Sequence, residues 1–440
     1  MTRHRRAGIA GRLGALAMVA VLAGACSGSG ASGAPASAGG SGASASAEPI
    51  TLHALFMKQA AYSDVDIQAM TKAFTDKNPN ITIVPDFVAY ESLHDKTVTD
   101  QVGGQGTYDL VLIDTPWPAE FAKAGIVRDI TDKIPADFRS GVFDSAWTAA
   151  TYQGKTYGVP WINDSKFFFY NKKMLSDAGI TTPPKTWDDV LTAARAIKAK
   201  GIVQYPLVWS WKQVEAVICD WTELAGAFGA KDFIDANGNA TFNTGPGLQA
   251  LKFMKQTLDE GLTNPASLGF IEDDVNATMS AGQAAMALNW TYGYSVMNDP
   301  SKSKVANQIA VTAAPGEGSV ATSGVNGGMS IAVTKSSKHP DEALSYALWL
   351  ASEQSQEMDT ANAFPMWKAS FDNASVTKAN PDFFAAAKVQ FANLIARPIV
   401  PYYSKLSAAL QVAIQNALTG KMTPEDALNG VASKLADLQK

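Results

Sequence analysis

Residues 152–189 read YQGKTYGVPWINDSKFFFYNKKMLSDAGITTPPKTWDD, and this stretch decides the fold. Gly154-Lys155 has turn chemistry, and Val159-Pro160 closes the strand of a hairpin. Trp161, Asn163 and Asp164 follow: an aromatic plate, an amide and a carboxylate, set just before the next strand. Phe167–Tyr170 has no polar alternation, so it suits a strand covered on both faces. Pro183-Pro184 stops the preceding helix from extending. Thr186 then reads as an N-cap, with Asp189 three residues on completing a capping box.

Outward from this stretch, strands and helices alternate. Towards the N-terminus the pattern predicts a strand at 50–56 and a helix at 64–74, whose apolar positions include Val65, Ile67, Met70 and Phe74. A strand at 81–87, a helix at 93–102, a strand at 108–113 and a helix from Pro118 follow. Towards the C-terminus, helices are expected after Thr186 and at 214–228, 247–260 and 274–282, and a strand at 284–289 delivers Trp290. A glycine-rich run at 324–328 leads into a strand. Helices from Pro340, at 381–394, 404–418 and 424–438 complete the chain. Strands alternating with helices imply a mostly parallel sheet covered on both sides.

Five pieces, in order, resemble one family. They are the opening stretch, YDLVLIDTPWPAEFAKAGIVRDIT (108–131), GQAAMALNWTYGY (282–294), GGMSIAVTKSSKHPDEALSYALWLAS (327–352) and TGKMTPEDAL (419–428). Together they are similar to the extracellular solute-binding proteins of ABC importers, the large family 1 that includes sugar binders such as maltose-binding protein. The resemblance implies an α/β fold of the type II periplasmic-binding-protein kind: two lobes joined by crossing strands that close over a solute by hinge motion. It divides the chain into a signal peptide (1–25), a Ser/Gly/Ala linker (26–48), an N-terminal lobe (49–163 and 330–363) and a C-terminal lobe (164–329 and 364–440). The opening stretch becomes the first crossing, and 327–333 the return.

A sugar offers apolar C–H faces and hydroxyl edges, so its site calls for flat rings beside carboxylates and amides. The chain has ten tryptophans. Each reads either as core or as a ligand plate. Trp187 and Trp349 lie in helices and go to the core, as do Trp147 and Trp221. The family match favours the cleft for Trp161 and Trp290, the latter with Tyr292. Trp117, Trp209, Trp211 and Trp367 stay open between the two roles. Asp114 and Asp164 are candidate hydroxyl acceptors or structural carboxylates. Asn163 pairs with a hydroxyl or caps a turn, and Tyr62 is a further ligand candidate. Gly327 and Gly328 either let backbone approach a ligand or make a hinge turn.

Basic residues Arg3, Arg5, Arg6 and Arg12 precede an apolar run, Leu13–Ala25. That run is shorter than the ~20 residues of a membrane span and reads as a signal-peptide core. Leu22-Ala23-Gly24-Ala25-Cys26 resembles a bacterial lipobox, which would put a lipid on Cys26 and hold the protein at the outer face of the cell membrane. Residues 27–47 contain only Ser, Gly, Ala and Pro; such a tether reaches roughly 25 Å. Cys219 is then the one other thiol, expected buried and inert. Losing the four arginines of the signal peptide takes the net charge from −5 to −9, which argues against a nucleic-acid partner.

Four scattered histidines (His4, His53, His94, His339) and the lack of HExxH, P-loop and GxSxG motifs give no catalytic or metal signature. Tyr402-Tyr403, in RPIVPYYSKL, resembles the ferric clamp of iron-binding relatives but lacks clustered histidines. The expectation is a monomeric, cofactor-free receptor for a carbohydrate, working with the membrane subunits of an ABC permease. The alternatives are a receptor for a polyamine, peptide or anion, and an exported carbohydrate-active enzyme.

Overall fold

The computed structural model describes residues 48–58, 61–360 and 362–440. The signal-peptide, lipobox and linker readings lie outside the described residues. In chain order the main elements are β1 (Ile50–Met57), α1 (Asp64–Thr75), β2 (Ile81–Val88), α2 (Tyr90–Val102), β3 (Leu110–Asp114), α3 (Pro118–Lys123), β4 (Val159–Ile162) and β5 (Lys166–Asn171). Then come α4 (Trp187–Ala199), β6 (Leu207–Val208), α5 (Glu215–Ala227), α6 (Gly245–Asp259), α7 (Glu272–Ser280), β7 (Met286–Trp290) and β8 (Ile309–Thr312). The last are β9 (Gly324–Val325), β10 (Met329–Val333), α8 (Pro340–Leu350), β11 (Leu394–Ile395), α9 (Tyr403–Leu418) and α10 (Pro424–Ala432).

Two main sheets result. The first has the order β2-β1-β3-β10-β4 and the second β8-β5-β7-β6. In the first, β1 runs parallel to β2 and β3, while β10 lies antiparallel between β3 and β4. In the second, β5 is antiparallel to both neighbours and β6 is parallel to β7. The apolar run 167–169 shows why β5 needs no polar alternation. Phe168 enters one core with Trp187 and Leu288, while Phe167 and Phe169 enter another with Phe364 and Phe383. Successive side chains on a strand point to opposite faces, so a sheet buried on both sides needs apolar residues at every position.

The capping box at Thr186 is borne out: Asp189 N–H donates to Thr186 Oγ1 at 3.0 Å, and Thr186 N–H to Asp189 Oδ2 at 3.1 Å. Ser63 and Asp66 make the same device at the start of α1. Other expectations need correction. The hairpin turn is Gln153-Gly154, both at positive φ (49° and 75°), the two-residue geometry that matches strand twist. Lys155 already begins the return strand, and Val159-Pro160 belongs to the first sheet. Val65 is 69% exposed, because it sits about 200° around the helix from Ile67. Helix 381–394 ends at Gln390, since Leu394–Ile395 pair with Gly324–Val325. Helix 424–438 breaks at Ser433-Lys434 into two pieces.

Three segments run side by side between the sheets. Ser165 pairs with Asn326, Gly327 N–H donates to the Asp164 carbonyl at 2.9 Å, and Asn326 N–H to the Ile395 carbonyl at 2.8 Å. So 162–166 and 324–328 pass between the lobes, and 394–395 pairs alongside the return. Among the described residues no helix is long and apolar enough to cross a membrane.

Candidate functional site

The carboxyl ends of β3 and β4, the loop after β7 and the passages between the sheets converge, as expected where open α/β sheets bind ligands. The register of β10 against β4 shifts here: Met329 faces Ile162 but Ser330 faces Pro160. Trp161 is therefore the extra residue of a β-bulge, a device that re-aims a side chain. Its ring stacks on Tyr62 (centroids 5.3 Å apart, 25° between planes) and tilts against Phe56. Its carbonyl accepts from Gln356 Nε2 at 2.6 Å. Both rings are fully buried, and neither the Trp161 indole N–H nor the Tyr62 hydroxyl has a partner among the described residues. Burial, with Asp359 and Asp66 nearby, raises the Tyr62 phenol far above its ordinary range.

Asn163 and Asp164 tie the crossing together. Asn163 Oδ1 accepts from Ser145 Oγ at 2.9 Å; its Nδ2 is buried without a partner among the described residues. Asn326 holds the return passage, accepting Gly328 N–H (2.8 Å) and donating to the Ser145 carbonyl (3.0 Å). Asp164 Oδ1 accepts from Ser165 N–H at 2.8 Å and from the Thr291 hydroxyl. Asp164 is only 6% exposed. That burial pushes its carboxyl up to about 6, against the pull of the Thr291 and Ser165 hydrogen bonds.

Trp290 stays half-buried at the end of β7. A Cβ on Gly327 would come within 2.3 Å of its ring, so glycine there permits the return passage to lie against the indole. The indole N–H reaches Glu272 Oε1 at 3.2 Å, and the Lys166 ammonium sits 5.2 Å from the ring centroid. Lys166 is wholly buried and bonds Asp220 (2.6 Å), Ser210 Oγ (2.8 Å) and Glu272 (3.1 Å). Burial alone would lower the Lys166 ammonium, but Asp220 and Glu272 more than offset it and hold it charged. Tyr292 donates to Asp273 Oδ1 at 2.8 Å.

Other candidates are placed less openly. Trp209 and Trp211 stack on one another (5.1 Å, 12°) inside the second core, where Trp187 packs on Trp209. Trp117 is buried under Tyr90 (5.7 Å, 24°). Trp367 meets Phe138 edge-on and donates to the Ala351 carbonyl at 2.9 Å. A Cβ on Gly328 would meet Asn326 Oδ1 at 2.9 Å, so Gly328 packs on the hinge network. Tyr403 donates to Glu215. Among the described residues no cluster of three His, Cys, Asp or Glu is arranged for a metal. Cys219 is buried, and burial pushes its thiol up.

Sequence reasoning missed a bidentate ion pair between the lobes. Arg397, just past β11, makes a bidentate pair with Asp114 at the end of β3: Nη1 to Oδ2 and Nη2 to Oδ1, each 2.8 Å. Nη1 also donates to Glu215 Oε1 at 2.9 Å, at the start of α5. Tyr90 donates to Asp114 Oδ2 at 2.6 Å and Ser407 to Glu215 Oε2 at 2.5 Å. Asp114 belongs to the first sheet. Glu215 begins a helix whose residues fill the second core. The signal in the sequence was a single arginine amid apolar residues, in the segment weighed only for its tyrosines. At the rim, Ser404 bonds His94 Nε2 (3.1 Å) and Glu120 Oε2 (2.7 Å), joining α9 to α2 and α3.

Comparison with known proteins places this geometry. Residues 60–357 match the model of a family described as bacterial extracellular solute-binding protein. A probable ABC transporter-binding protein of Deinococcus radiodurans is 29% identical over 350 residues, 77% of this chain and 82% of that protein. The mannitol-binding protein of Pseudomonas aeruginosa is 24% identical, covering 83% of this chain and 88% of that one. Among solved structures, maltose-bound MalE3 of T. maritima superposes with a TM-score of 0.79 at 25% identity, over 88% of this chain and all of that one.

Proposed function

The chain belongs to the bacterial extracellular solute-binding proteins, and from that membership we propose that it captures a carbohydrate or polyol between its lobes for an ABC permease. The observation that carries the reading is the polar lining of the lobe junction. Four hydrogen-bonding groups there (Tyr62 hydroxyl, Trp161 Nε1, Asn163 Nδ2, Arg397 Nε) are buried without partners among the described residues. A buried donor left unpaired is costly, and a polyhydroxy ligand supplies oxygen acceptors. The maltose-bound and mannitol-binding relatives support the same solute class.

On this reading Trp161, Asn163 and Tyr62 form the first-lobe wall, with Asp114 behind them and Asp164 at the crossing. Trp290, Tyr292 and Gly327 face them from the second. Trp117, Trp209, Trp211, Gly328 and Trp367 support the wall from behind. The lobes are 49–163 with 330–363, and 164–329 with 364–440. Binding favours the closed state in proportion to the solute's differential affinity for it, and no covalent chemistry takes place. A lipid on Cys26 and the Ser/Gly/Ala tether hold a monomer near the permease; a Cys26→Ala protein leaves the membrane fraction if this is so. Thermal denaturation and tryptophan fluorescence across mono-, di- and oligosaccharides, hexitols, amino acids and polyamines test the solute class. A shift with an amino acid or polyamine and none with any sugar or polyol rejects it.

A further inference from the structure

We infer that Arg397 both ties the lobes together and sets which solutes the cleft accepts, admitting uncharged polyhydroxy compounds and rejecting anions; this rests on the sugar or polyol reading above.

Arg397 is 2% exposed. A guanidinium has five N–H donors and no acceptor. Asp114 takes two of them and Glu215 a third. The N–H on Nε has no partner among the described residues, and Nη2 keeps its second hydrogen. Asp114 is in the opposite position. Oδ1 accepts from Thr115 N–H (2.7 Å) and Arg397 Nη2; Oδ2 accepts from Tyr90 (2.6 Å) and Arg397 Nη1. A carboxylate has about four lone-pair sites, so Asp114 is full. It cannot take a solute hydroxyl without releasing a partner. Its role is to hold the guanidinium in place.

The spare capacity on the Arg397–Asp114 pair is therefore donor capacity, and what that pair recognises is an oxygen acceptor. The formal charges decide which kind. Two carboxylates, Asp114 and Glu215, face one guanidinium within hydrogen-bond distance. The cluster carries a net charge of −1 before any solute arrives. A carboxylate or phosphate entering it meets a cation already shared by two anions, and like charges buried together are strongly disfavoured. A hydroxyl or ring oxygen accepts the same N–H groups at no such cost. Because Asp114 ends a strand of the first sheet and Glu215 starts a helix of the second lobe, the residue that reads the solute is also the one that opening must pull apart.

Titration calorimetry on the full chain tests this with four probes: D-mannitol, D-glucose, D-glucuronate and glucose 6-phosphate. The better neutral probe should bind at least about tenfold more tightly than either anion. Arg397→Lys keeps the charge but loses the fork and the spare N–H groups, and should weaken the neutral probe about tenfold to a hundredfold. Glu215→Gln removes one of the two negative charges and should move the neutral-to-anion ratio towards the anions, which a purely structural role for Glu215 would not do. If an anion binds the natural chain as tightly as its neutral counterpart, the charge argument is overturned. If Arg397→Lys folds and binds the neutral probe unchanged, Arg397 does not read the solute. If Arg397→Lys fails to fold, the Glu215→Gln ratio decides alone. A chain that binds none of a wide range of sugars and polyols fails at the premise instead, and this inference falls with it.

Discussion

Replacing Lys166 with methionine removes the cation from a buried pair: Lys166 and Asp220 side chains are both 0% exposed. The variant keeps the length of the apolar stem and leaves Asp220 with two long contacts, Ser210 N–H at 3.3 Å and Ser210 Oγ at 3.2 Å. Breaking a buried pair this way costs roughly 3–5 kcal/mol. An independent ceiling follows from protonation. The unpaired carboxyl can escape its charge by taking up a proton, which from an ordinary value of 3.8 costs about 4.4 kcal/mol at pH 7 and about 1.6 at pH 5. In the natural chain burial has already pushed Asp220 up to about 6, with Lys166 opposing, so part of this dependence is shared. The loss on Lys166→Met should therefore shrink by about 1–1.5 kcal/mol between pH 7 and pH 5. Urea unfolding at the two pH values measures it. Lys166→Met/Asp220→Asn leaves only the partly exposed Glu272 carboxylate charged beside the site and should recover most of the loss. A penalty under about 1 kcal/mol at pH 7, or one that grows at pH 5, would refute the picture of a charged pair propping the floor beneath Trp290.

Three more outcomes are expected. Asp164, raised to about 6 by burial, binds a proton more readily folded than unfolded. Its contribution is full below the unfolded value near 3.8 and is lost as pH rises through 6, about 3 kcal/mol in all; Asp164→Asn should flatten the stability profile between pH 4 and 7, and an unchanged slope would sink the assignment. Gly327→Val pushes a Cβ to 2.3 Å from Trp290 and should cost roughly 1–3 kcal/mol and weaken solute binding, whereas Gly269→Ala, with open space around its Cβ, should do neither. Thr186→Ala breaks a capping box and should lower stability by about 1 kcal/mol in urea, with solute binding untouched.

The fold was legible because its cues are local. Thr186 and Asp189 sit three residues apart, and Phe167–Tyr170 carries its two-sided burial in four consecutive letters. The site was harder to read for the opposite reason. Arg397 meets Asp114 across 283 positions and Glu215 across 182, and no spacing rule reaches that far. Trp209 and Trp211, beside Ser210, stay open between core and ligand plate until Trp187 is seen to pack onto Trp209 and Trp211 to stack on Trp209. Trp161 reads as an aromatic at a crossing. That it is the extra residue of a bulge depends on which residue of β10 it opposes, which only the assembled sheet specifies.

The place of β10 in the first sheet has a consequence for synthesis. Residues 329–333 insert between β3 and β4, which were made more than 150 residues earlier. Every strand of the second main sheet, from 166 to 312, precedes residue 329 in the chain. The second lobe's sheet can thus form while the first still lacks its middle. Until Val333 appears, Leu110–Ile113 offers an unpaired, wholly apolar edge, the kind of seam that recruits other chains. Pairing this distant in sequence is also slow. A chain released before Val333 would end with its second sheet assembled and an adhesive gap in its first, so the last hundred residues complete the protein's solubility as well as its shape.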